Sequence, residues 1–210
     1  WQRLSPRLLR IGFMSLALDL FYILAMVLAS PWVVYRLTAT RAWPLALRRF
    51  GTGLEARRRE CIWLHGSSVG EVTLLRPLVA LLEREPDLDL VISSNTPTGI
   101  AAARAAYPRH RIVVFPLDFS FVVRRYVKRL KPRLVIIVES ELWPNFMLVA
   151  RRHGIPLAVV NGKMSAKSFA IHSRTRFVGR ALRGVNLLAV QTEEHAQRFR
   201  ALGVPDDAVH

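Results

Sequence analysis

The chain alternates between short apolar runs and stretches whose apolar residues recur every three or four positions. Val72, Leu75, Val79 and Leu82 have the spacing of residues that line one face of a helix. The short runs are rich in valine, isoleucine and leucine without strict alternation, which is typical of strands buried on both faces of a sheet. They predict six strands, at residues 61–65, 88–93, 111–115, 134–138, 157–160 and 187–190.

The regular order of strands and helices predicts an α/β fold. Strands that are separated by helices form parallel sheets with right-handed crossovers, so we expect a doubly wound, Rossmann-like sheet. We place this domain at residues 61–210. Because the chain begins with Trp1 rather than methionine and ends soon after Gly203, we also expect it to be a piece of a longer protein.

An apolar stretch precedes this domain. Residues 11–35 contain a single charged residue, Asp19, and at about 1.5 Å per residue a helix of this length crosses a hydrocarbon core of about 30 Å. A cleaved signal peptide has a shorter apolar core and a small-residue cleavage site, and a buried core helix is seldom this long. We therefore predict an N-terminal membrane anchor at residues 1–40.

Two forms of this anchor remain open. Tyr22, Trp32 and Tyr35 are aromatic types found at membrane interfaces. Asp19 and Pro31 are also compatible with a helix that lies in the interface instead of spanning the bilayer. The flanking arginines are Arg3, Arg7 and Arg10 before the apolar stretch, and Arg36, Arg41, Arg48 and Arg49 after it. The larger second group places the following domain on the cytoplasmic side.

Residues 41–60 are basic, and we predict an irregular juxtamembrane connector there. Over the whole chain, 31 lysines and arginines exceed 15 acidic residues, for a net charge of +16. This excess favours an anionic partner, which composition alone leaves open among nucleic acid, an acidic membrane and a phosphorylated substrate. Cys61 is the only cysteine and the histidines lack metal-ligand spacing, so we expect no disulfide and no metal.

Glycines, carboxylates and hydroxyls concentrate directly after the predicted strands. In open parallel sheets, ligands bind at the edge formed by the carboxyl ends of the strands, so these loops predict a binding site. The candidate residues are Ser67, Ser68, Gly70, Glu71, Thr96, Thr98, Asp118, Glu139, Glu141, Asn161 and Lys163.

Most of these residues also have a purely structural interpretation. Serine, threonine and aspartate cap helices, and Glu71 would favour the positive end of the first helix after the first strand. Glu139 is harder to explain in this way, because it directly follows an apolar strand where a buried charge needs a compensating cation. We hypothesise that Lys163, at the end of the next strand, is that cation.

Several nucleotide and hydrolase motifs are excluded. Residues 66–71 have the glycine spacing of a P-loop, but glutamate occupies the lysine position, so they do not form a Walker A motif. The first strand is not followed by Gly-x-Gly-x-x-Gly, and the chain contains no Gly-x-Ser-x-Gly elbow.

The strand-end loops, in their order along the chain, resemble the 3-deoxy-D-manno-octulosonic acid (Kdo) transferases. The matching segments are WLHGSSVGE (63–71), SSNTPTG (93–99), FPLD (115–118), VESELWPN (138–145) and NGKMSAKS (161–168). The similarity covers about residues 60 to 205, and the preceding apolar anchor also fits this family. Lys163 and Gly162 stand where several members of the family have arginine and alanine.

The resemblance implies an enzyme of the GT-B arrangement, in which two Rossmann-like domains face a cleft. The N-terminal domain, which this chain matches, binds the lipid acceptor, and an absent C-terminal domain binds CMP-Kdo. The implied reaction transfers Kdo from CMP-Kdo to the lipid A precursor lipid IVA at the cytoplasmic face of a bacterial inner membrane. The resemblance implies no metal and no cofactor.

Site roles follow from the same resemblance. Glu71 matches the general base, and Glu139 matches a residue that stabilises the transition state. We assign substrate binding to Ser67, Ser68, Gly70, Thr96, Thr98, Glu141, Asn161 and Lys163.

Two other functions remain as alternatives. One is a membrane-associated GT-B glycosyltransferase with a different donor or acceptor, which would share the fold and the anchor. The other is a basic nucleic-acid-binding module, which the net charge permits. Only 9% of the residues are aromatic, and the chain lacks RNP-like and helix-turn-helix patterns, so we expect no nucleic-acid partner.

Overall fold

A computed structural model describes residues 6–85, 87–139 and 141–210. The helices are α1 Pro6–Leu28, α2 Ser30–Ala39, α3 Trp43–Arg49, α4 Val69–Leu74, α5 Arg76–Leu82, α6 Pro97–Ala106, α7 Ser120–Leu130, α8 Pro144–Arg152, α9 Ala166–Ser173, α10 Arg176–Leu182 and α11 Glu193–Leu202. The strands are β1 Cys61–His65, β2 Leu90–Ser94, β3 Arg111–Val114, β4 Pro132–Val138, β5 Leu157–Gly162 and β6 Leu187–Val190. A short 3-10 helix, Asp206–Ala208, follows α11.

The six predicted strands form one parallel sheet in the order β3-β2-β1-β4-β5-β6. The central strand β1 pairs with β2 and β4, so that His65 is level with Ser93 on one side and Ile137 on the other. The chain moves outward from β1 to β3, returns to the centre at β4, and then moves outward in the opposite direction. In open parallel sheets, ligands bind in the crevice at this reversal, here between β1 and β4.

The central strand is buried on both faces, which confirms the expectation from its composition. Trp63 packs on one face against Phe115, Tyr126 and Phe146, with ring centroids 5.8, 5.9 and 5.1 Å away. Neighbouring Ile62 belongs to the core on the other face. Each large side chain buried in this way stabilises the fold by about 1.5–3 kcal/mol, so both layers of helices are held firmly to the sheet.

The connector at residues 41–60 is not irregular throughout, and that prediction is wrong for Trp43–Arg49, where α3 forms. A proline in the first turn of α3 suits a helix start. The connector also packs on the domain: the Tyr126 hydroxyl donates a hydrogen bond of 2.7 Å to the carbonyl oxygen of Arg48, and Leu54 is buried. Tertiary contacts with the domain therefore order a segment that looks like a linker in the sequence.

The buried carboxylate of Asp19 joins α1 to the domain. Its Oδ1 accepts hydrogen bonds from the backbone N–H of Ser120 (2.7 Å) and the side-chain amide of Asn145 (2.9 Å), and its Oδ2 accepts one from the Ser120 hydroxyl (2.5 Å). Phe119 precedes α7 and has no capping side chain, so Asp19 serves the N-terminus of that helix from a distant part of the chain.

Asp118 has the capping role considered from the sequence, but it caps α8 and not the adjacent α7. Its two carboxylate oxygens accept hydrogen bonds from the backbone N–H groups of Asn145 (3.1 Å) and Phe146 (2.8 Å) at the start of α8. The hydroxyl of Tyr22 donates a third, of 3.2 Å, to the same carboxylate. Asp118 therefore links the loop after β3 to both α8 and α1.

Asp118 is expected to make the stability of the fold depend on pH. Burial raises its pKa to about 7, although the three donors lower it, and the nearby charge of Asp19 adds to the rise. Since the folded pKa lies above the ordinary value of 3.8, this contribution is fully present below about pH 4 and is lost as the pH rises to about 7. Urea unfolding in mild detergent at several pH values should show the advantage of the wild type over Asp118→Asn shrinking across this range. A pH-independent difference would contradict the expectation.

Candidate active site

The loop after β1 brings Glu71 back over the end of its own strand. A Cβ atom on Gly66 would lie 2.9 Å from backbone atoms of Glu71 and Val72, so the turn requires glycine. The backbone N–H of Ser67 donates to Glu71 Oε2 (2.8 Å), and the hydroxyl of Ser68 donates to Oε1 (3.0 Å). The Ser68 oxygen in turn accepts the backbone N–H of Glu71 at 3.3 Å and caps α4.

The structural interpretation of these residues is thus confirmed, since Ser68 and Glu71 form a reciprocal arrangement like a capping box. The Glu71 carboxylate can nevertheless accept further hydrogen bonds beyond those of the cap. Each Glu71 oxygen accepts one of the two hydrogen bonds above, whereas a carboxylate oxygen has two lone pairs. Glu71 is also partly exposed, so its free lone pairs are available to a ligand at the rim.

The loop after β2 is tied to the loop after β1. The hydroxyls of Ser94 and Thr96 donate to the carbonyl oxygen of Ser67 at 2.7 and 2.8 Å. The Ser67 hydroxyl donates to the side-chain oxygen of Asn95 at 2.5 Å. Thr96 also caps α6, while Thr98 lies exposed in the first turn of that helix. Two neighbouring strand ends therefore form one hydrogen-bonded unit.

Glu141, from the loop after β4, joins this unit across the crevice between β1 and β4. Its Oε2 lies 3.1 Å from Nε2 of the fully buried His65. The same oxygen accepts hydrogen bonds from the side chains of Asn95 (3.2 Å) and Trp143 (3.0 Å). His65 is in turn held by Ser93, whose hydroxyl lies 3.0 Å from Nδ1. Three strand ends thus converge on one carboxylate.

Hydrogen-bond donors stabilise the negative charge of the Glu141 carboxylate. Burial raises the pKa of Glu141, but the hydrogen bonds from His65 and Trp143 and the charge of His65 oppose it, and the pKa lies below its ordinary value. Arg49, from α3, is also near: burial lowers its pKa, and the charge of Glu141 opposes that effect. The connector therefore contributes a cation to the rim.

Glu141→Gln is expected to remove a contribution to stability that is present at neutral pH. Because the folded pKa is depressed, this contribution is present above the ordinary value of 4.5 and is lost as the pH falls through the folded pKa. The free energy of unfolding of the wild type should therefore exceed that of the variant at pH 7, and the gap should narrow in acid. Glu60→Gln, at an exposed position, is the matched control and should show no such gap. Equal pH profiles for Glu141→Gln and wild type would refute this.

Glu139 and Lys163 form the pair that was hypothesised from the sequence, with Glu139 Oε2 2.8 Å from Lys163 Nζ. Both side chains are partly exposed, and pairs of this kind contribute about 1 kcal/mol or less, so the contact orients Glu139 more than it stabilises the fold. Glu139 and Asn161 both adopt positive φ, 62° and 57°. Such backbone conformations in non-glycine residues cluster at functional sites.

The sheet order brings the predicted residues to one rim, since β2, β1, β4 and β5 are consecutive neighbours. Ser67, Ser68, Glu71, Thr96 and Glu141 are linked by hydrogen bonds, directly or through Asn95. Glu139, Asn161 and Lys163 lie at the ends of the next two strands, and Gly70 and Thr98 are exposed in the first turns of α4 and α6. Within the described parts of the chain, no three acidic, histidine or cysteine side chains are grouped to hold a metal ion.

Sequence reasoning did not assign Asn95, His65 or Arg49. Asn95 stands between hydroxyl residues in a strand-end loop, and this position was a usable signal. His65 was indistinguishable from a core histidine, and Arg49 belonged to a supposed linker.

This rim can be compared with known proteins. A family model described as "3-Deoxy-D-manno-octulosonic-acid transferase (kdotransferase)" matches residues 46–210, which include every candidate residue of the rim. The chain belongs to the Kdo transferase family. The matched region starts inside α3 and therefore contains the last turn of that helix with Arg49, as well as the sheet.

Curated relatives agree with this family. The chain is 31% identical over 201 residues to the 3-deoxy-D-manno-octulosonic acid transferase of Chlamydia muridarum, covering 91% of this chain and 46% of the relative. It is 33% identical over 171 residues to the transferase of the same name from Bordetella pertussis, covering 76% and 39%. The chain therefore spans about half the length, or less, of these Kdo transferases.

Among solved structures, a UDP-N-acetylglucosamine 2-epimerase is similar to the chain with a TM-score of 0.51 and 12% identity. The similarity covers 73% of this chain and 46% of the epimerase. At this identity the similarity concerns the fold alone, and it supports the Rossmann-like description of the Kdo transferase chain.

Proposed function

We propose that this chain is the acceptor-binding half of a glycosyltransferase that transfers Kdo from CMP-Kdo to a hydroxyl group of lipid IVA. The observation that carries the proposal is the position of Glu71, in the first turn of the helix that follows β1, and of Glu139, directly after the neighbouring strand β4. These strands flank the reversal of the sheet, where ligands of open parallel sheets bind. In a member of the Kdo transferase family, two carboxylates at this crevice suit sugar transfer.

Glu71 is the proposed general base. As the acceptor oxygen forms a bond to the anomeric carbon of Kdo, Glu71 takes the proton of that hydroxyl, and the bond from the same carbon to the phosphate oxygen of CMP breaks. The glycine turn at Gly66 and the hydrogen bonds from Ser67 and Ser68 hold the carboxylate in place for this step. The positive end of α4 stabilises its negative charge before the proton arrives.

Glu139 is proposed to stabilise positive charge that develops on the sugar as CMP leaves. A fixed carboxylate acts on such charge without reorganising, and the contact with Lys163 at 2.8 Å restricts its motion. Glu141, held by His65, Asn95 and Trp143, keeps the loop after β4 against the loop after β1. Binding and orientation of the donor are assigned to a further domain of the whole protein.

The net charge of +16 suits a phosphorylated lipid acceptor in an acidic leaflet. We accordingly propose that the protein works at the cytoplasmic face of a bacterial inner membrane. The apolar helix α1 is long and apolar enough over Arg10–Leu28 to enter a membrane.

Acceptor binding tests the proposal directly. The chain, purified in mild detergent, is expected to bind lipid IVA at least about tenfold more tightly than phosphatidylglycerol, because only lipid IVA presents sugar hydroxyls to the rim. Equal affinity for both lipids at matched charge would reject the acceptor assignment. Thr98→Lys and Gln197→Lys each add one positive charge at an exposed position, the first at the rim and the second on α11, and only the first should alter the preference.

A further inference from the structure

The structure shows how the apolar N-terminal region leaves the domain and returns to it. The first part of α1 is docked: Met14, Ser15, Leu18 and Asp19 are buried against the domain. Asp19 lies in the middle of the apolar stretch Arg10–Leu28 and bonds to Ser120. A helix that spans a bilayer would have this midpoint at the centre of the hydrocarbon core, which is incompatible with the docking of Asp19 on the domain.

The segment that follows the docked part of α1 has both of its ends packed against the ring of Phe119. Tyr22, at the end of the docked part of α1, has its ring centroid 5.9 Å from that of Phe119. Phe50, directly after α3, has its centroid 6.3 Å from the same ring. The two ends of the intervening segment are therefore much closer together than the hydrocarbon core is thick, about 30 Å. They lie on the same side of any membrane.

The intervening segment, residues 23–49, is an apolar loop made of the end of α1, α2 and α3. The helices α2 and α3 have no buried residues. Large apolar side chains of this loop are exposed to solvent, with exposed fractions of 75% for Leu28, 64% for Trp32 and 69% for Tyr35. The loop contains no acidic residue. An exposed apolar surface of this extent marks an interaction site.

The arginines of the loop indicate that the partner of this surface is an anionic membrane. Arg36, Arg41 and Arg48 follow the apolar part of the loop, and the Arg36 guanidinium lies 5.5 Å from the centroid of the Trp32 ring. Apolar side chains combined with aromatic residues and arginines are characteristic of segments that enter the interface of an anionic bilayer. Beside α1, a groove of about 880 Å³ has both apolar and basic walls, the latter from Arg10, Arg151, Arg180 and Arg183.

We propose that the apolar part of this loop, residues 23–35, inserts into one leaflet of an anionic bilayer from the cytoplasmic side, while its basic part, residues 36–49, stays at the leaflet surface. No part of Arg10–Leu28 then spans the membrane. The whole segment 23–49 is too short to cross the bilayer and return. If it entered as two antiparallel helical halves, a rise of 1.5 Å per residue would let each half reach a depth of about 20 Å, less than the hydrocarbon core of about 30 Å. The exposed side chains Phe13, Leu16 and Leu20 on the outer face of α1 extend the same surface. The inference uses the membrane location proposed above but not the transferase chemistry.

Cysteine labelling distinguishes one-sided insertion from a span. Single cysteines are placed by Arg10→Cys, Thr40→Cys and Arg109→Cys in the whole protein, with any cysteine beyond residue 210 replaced by serine. The native Cys61 is buried and serves as an unreactive reference. Sealed inner-membrane vesicles of both orientations are treated with a membrane-impermeant maleimide.

One-sided insertion predicts that all three positions react in inside-out vesicles and that none reacts in right-side-out vesicles. Reaction of position 10 only in right-side-out vesicles, with position 40 reacting only in inside-out vesicles, would show a span and overturn the proposal. Recovery of the protein in the soluble fraction would overturn it as well. Neither readout involves Kdo transfer, so this test fails or succeeds separately from the proposed function.

A matched pair of variants tests the loop itself. Trp32→Glu and Thr40→Glu add the same charge, but only the first replaces an apolar side chain that enters the bilayer. With vesicles of phosphatidylethanolamine and phosphatidylglycerol, Trp32→Glu is expected to weaken binding about tenfold or more, the effect of losing one buried large side chain. Thr40→Glu should have a clearly smaller effect. Equal binding by both variants and wild type would exclude the loop as the inserted surface.

Discussion

Glu71→Gln should lower the turnover of Kdo transfer by about 100- to 10,000-fold, the range that a positioned general base contributes. The amide cannot take the proton of the acceptor hydroxyl. Its side-chain oxygen can still accept the hydrogen bond from the Ser67 backbone N–H, and its NH2 group can donate to the Ser68 oxygen, because glutamine replaces glutamate in capping boxes. The variant therefore separates the chemical role of Glu71 from its capping role. Turnover is measured on the whole protein with CMP-Kdo and lipid IVA.

Control measurements distinguish loss of the base from loss of folding or of acceptor binding. The free energy of unfolding and the affinity for lipid IVA should both stay close to wild type in Glu71→Gln. Glu71→Ala loses the cap too and should also unfold more readily, by about 1 kcal/mol. Glu194→Gln removes a carboxylate from the first turn of another helix, α11, and should leave turnover unchanged. If Glu71→Gln retains near-normal turnover, Glu71 is not the base.

Gly99→Ala is expected to reduce the free energy of unfolding by about 2–4 kcal/mol. A Cβ atom at this buried position would overlap the Ser94 hydroxyl, and it would lie 2.8 Å from Thr96 Oγ1 and 2.9 Å from the carbonyl oxygen of Ser67. These three groups make the hydrogen bonds that tie the loops after β1 and β2 together. The added methyl group would therefore disrupt the hydrogen bonds between the two loops. Chemical denaturation followed by circular dichroism measures the decrease in the free energy of unfolding.

Gly70→Ala is the matched control for this unfolding experiment. The nearest atom to a Cβ at Gly70 is the Ser68 oxygen at 3.8 Å, an ordinary contact. Because alanine favours helices more than glycine does, this variant should be neutral or slightly more stable, by up to about 1 kcal/mol. A loss of stability in Gly70→Ala as large as that in Gly99→Ala would mean that steric overlap at Gly99 is not the cause.

Most of the secondary structure could be predicted, because it depends on local signals. The apolar runs located all six strands to within two residues; β1 and β6 match their predicted bounds, and β2, β3, β4 and β5 differ from theirs by one or two positions. Ser68 and Thr96 cap the helices that follow them, as their types suggest. The connector was the exception, since α3 depends on contacts with the domain and not on a strong helical pattern.

The candidate site was predictable as a set of residues but not as a geometry. The family motifs and the strand-end positions identified Glu71, Glu139 and Glu141, and complementary charge suggested the contact between Glu139 and Lys163. The roles of Asn95 and His65 were not predictable, because both depend on Glu141 reaching across from the loop after β4. The sequence separation of these contacts, 76 and 46 residues, leaves no local pattern.

Sequence alone was sufficient for the fold class, the family and the residues at the ends of the strands, since periodicity and short motifs act over a few neighbouring positions. The tertiary structure decided which strands are neighbours, that Asp118 caps α8, and that Asp19 holds α1 against Ser120 over a separation of 101 residues. A buried carboxylate needs donors, but any of several distant helix ends can supply them. Only the packing of the whole chain determines which helix end binds Asp19. In this protein it is the start of α7, and this contact keeps the first half of α1 on the domain.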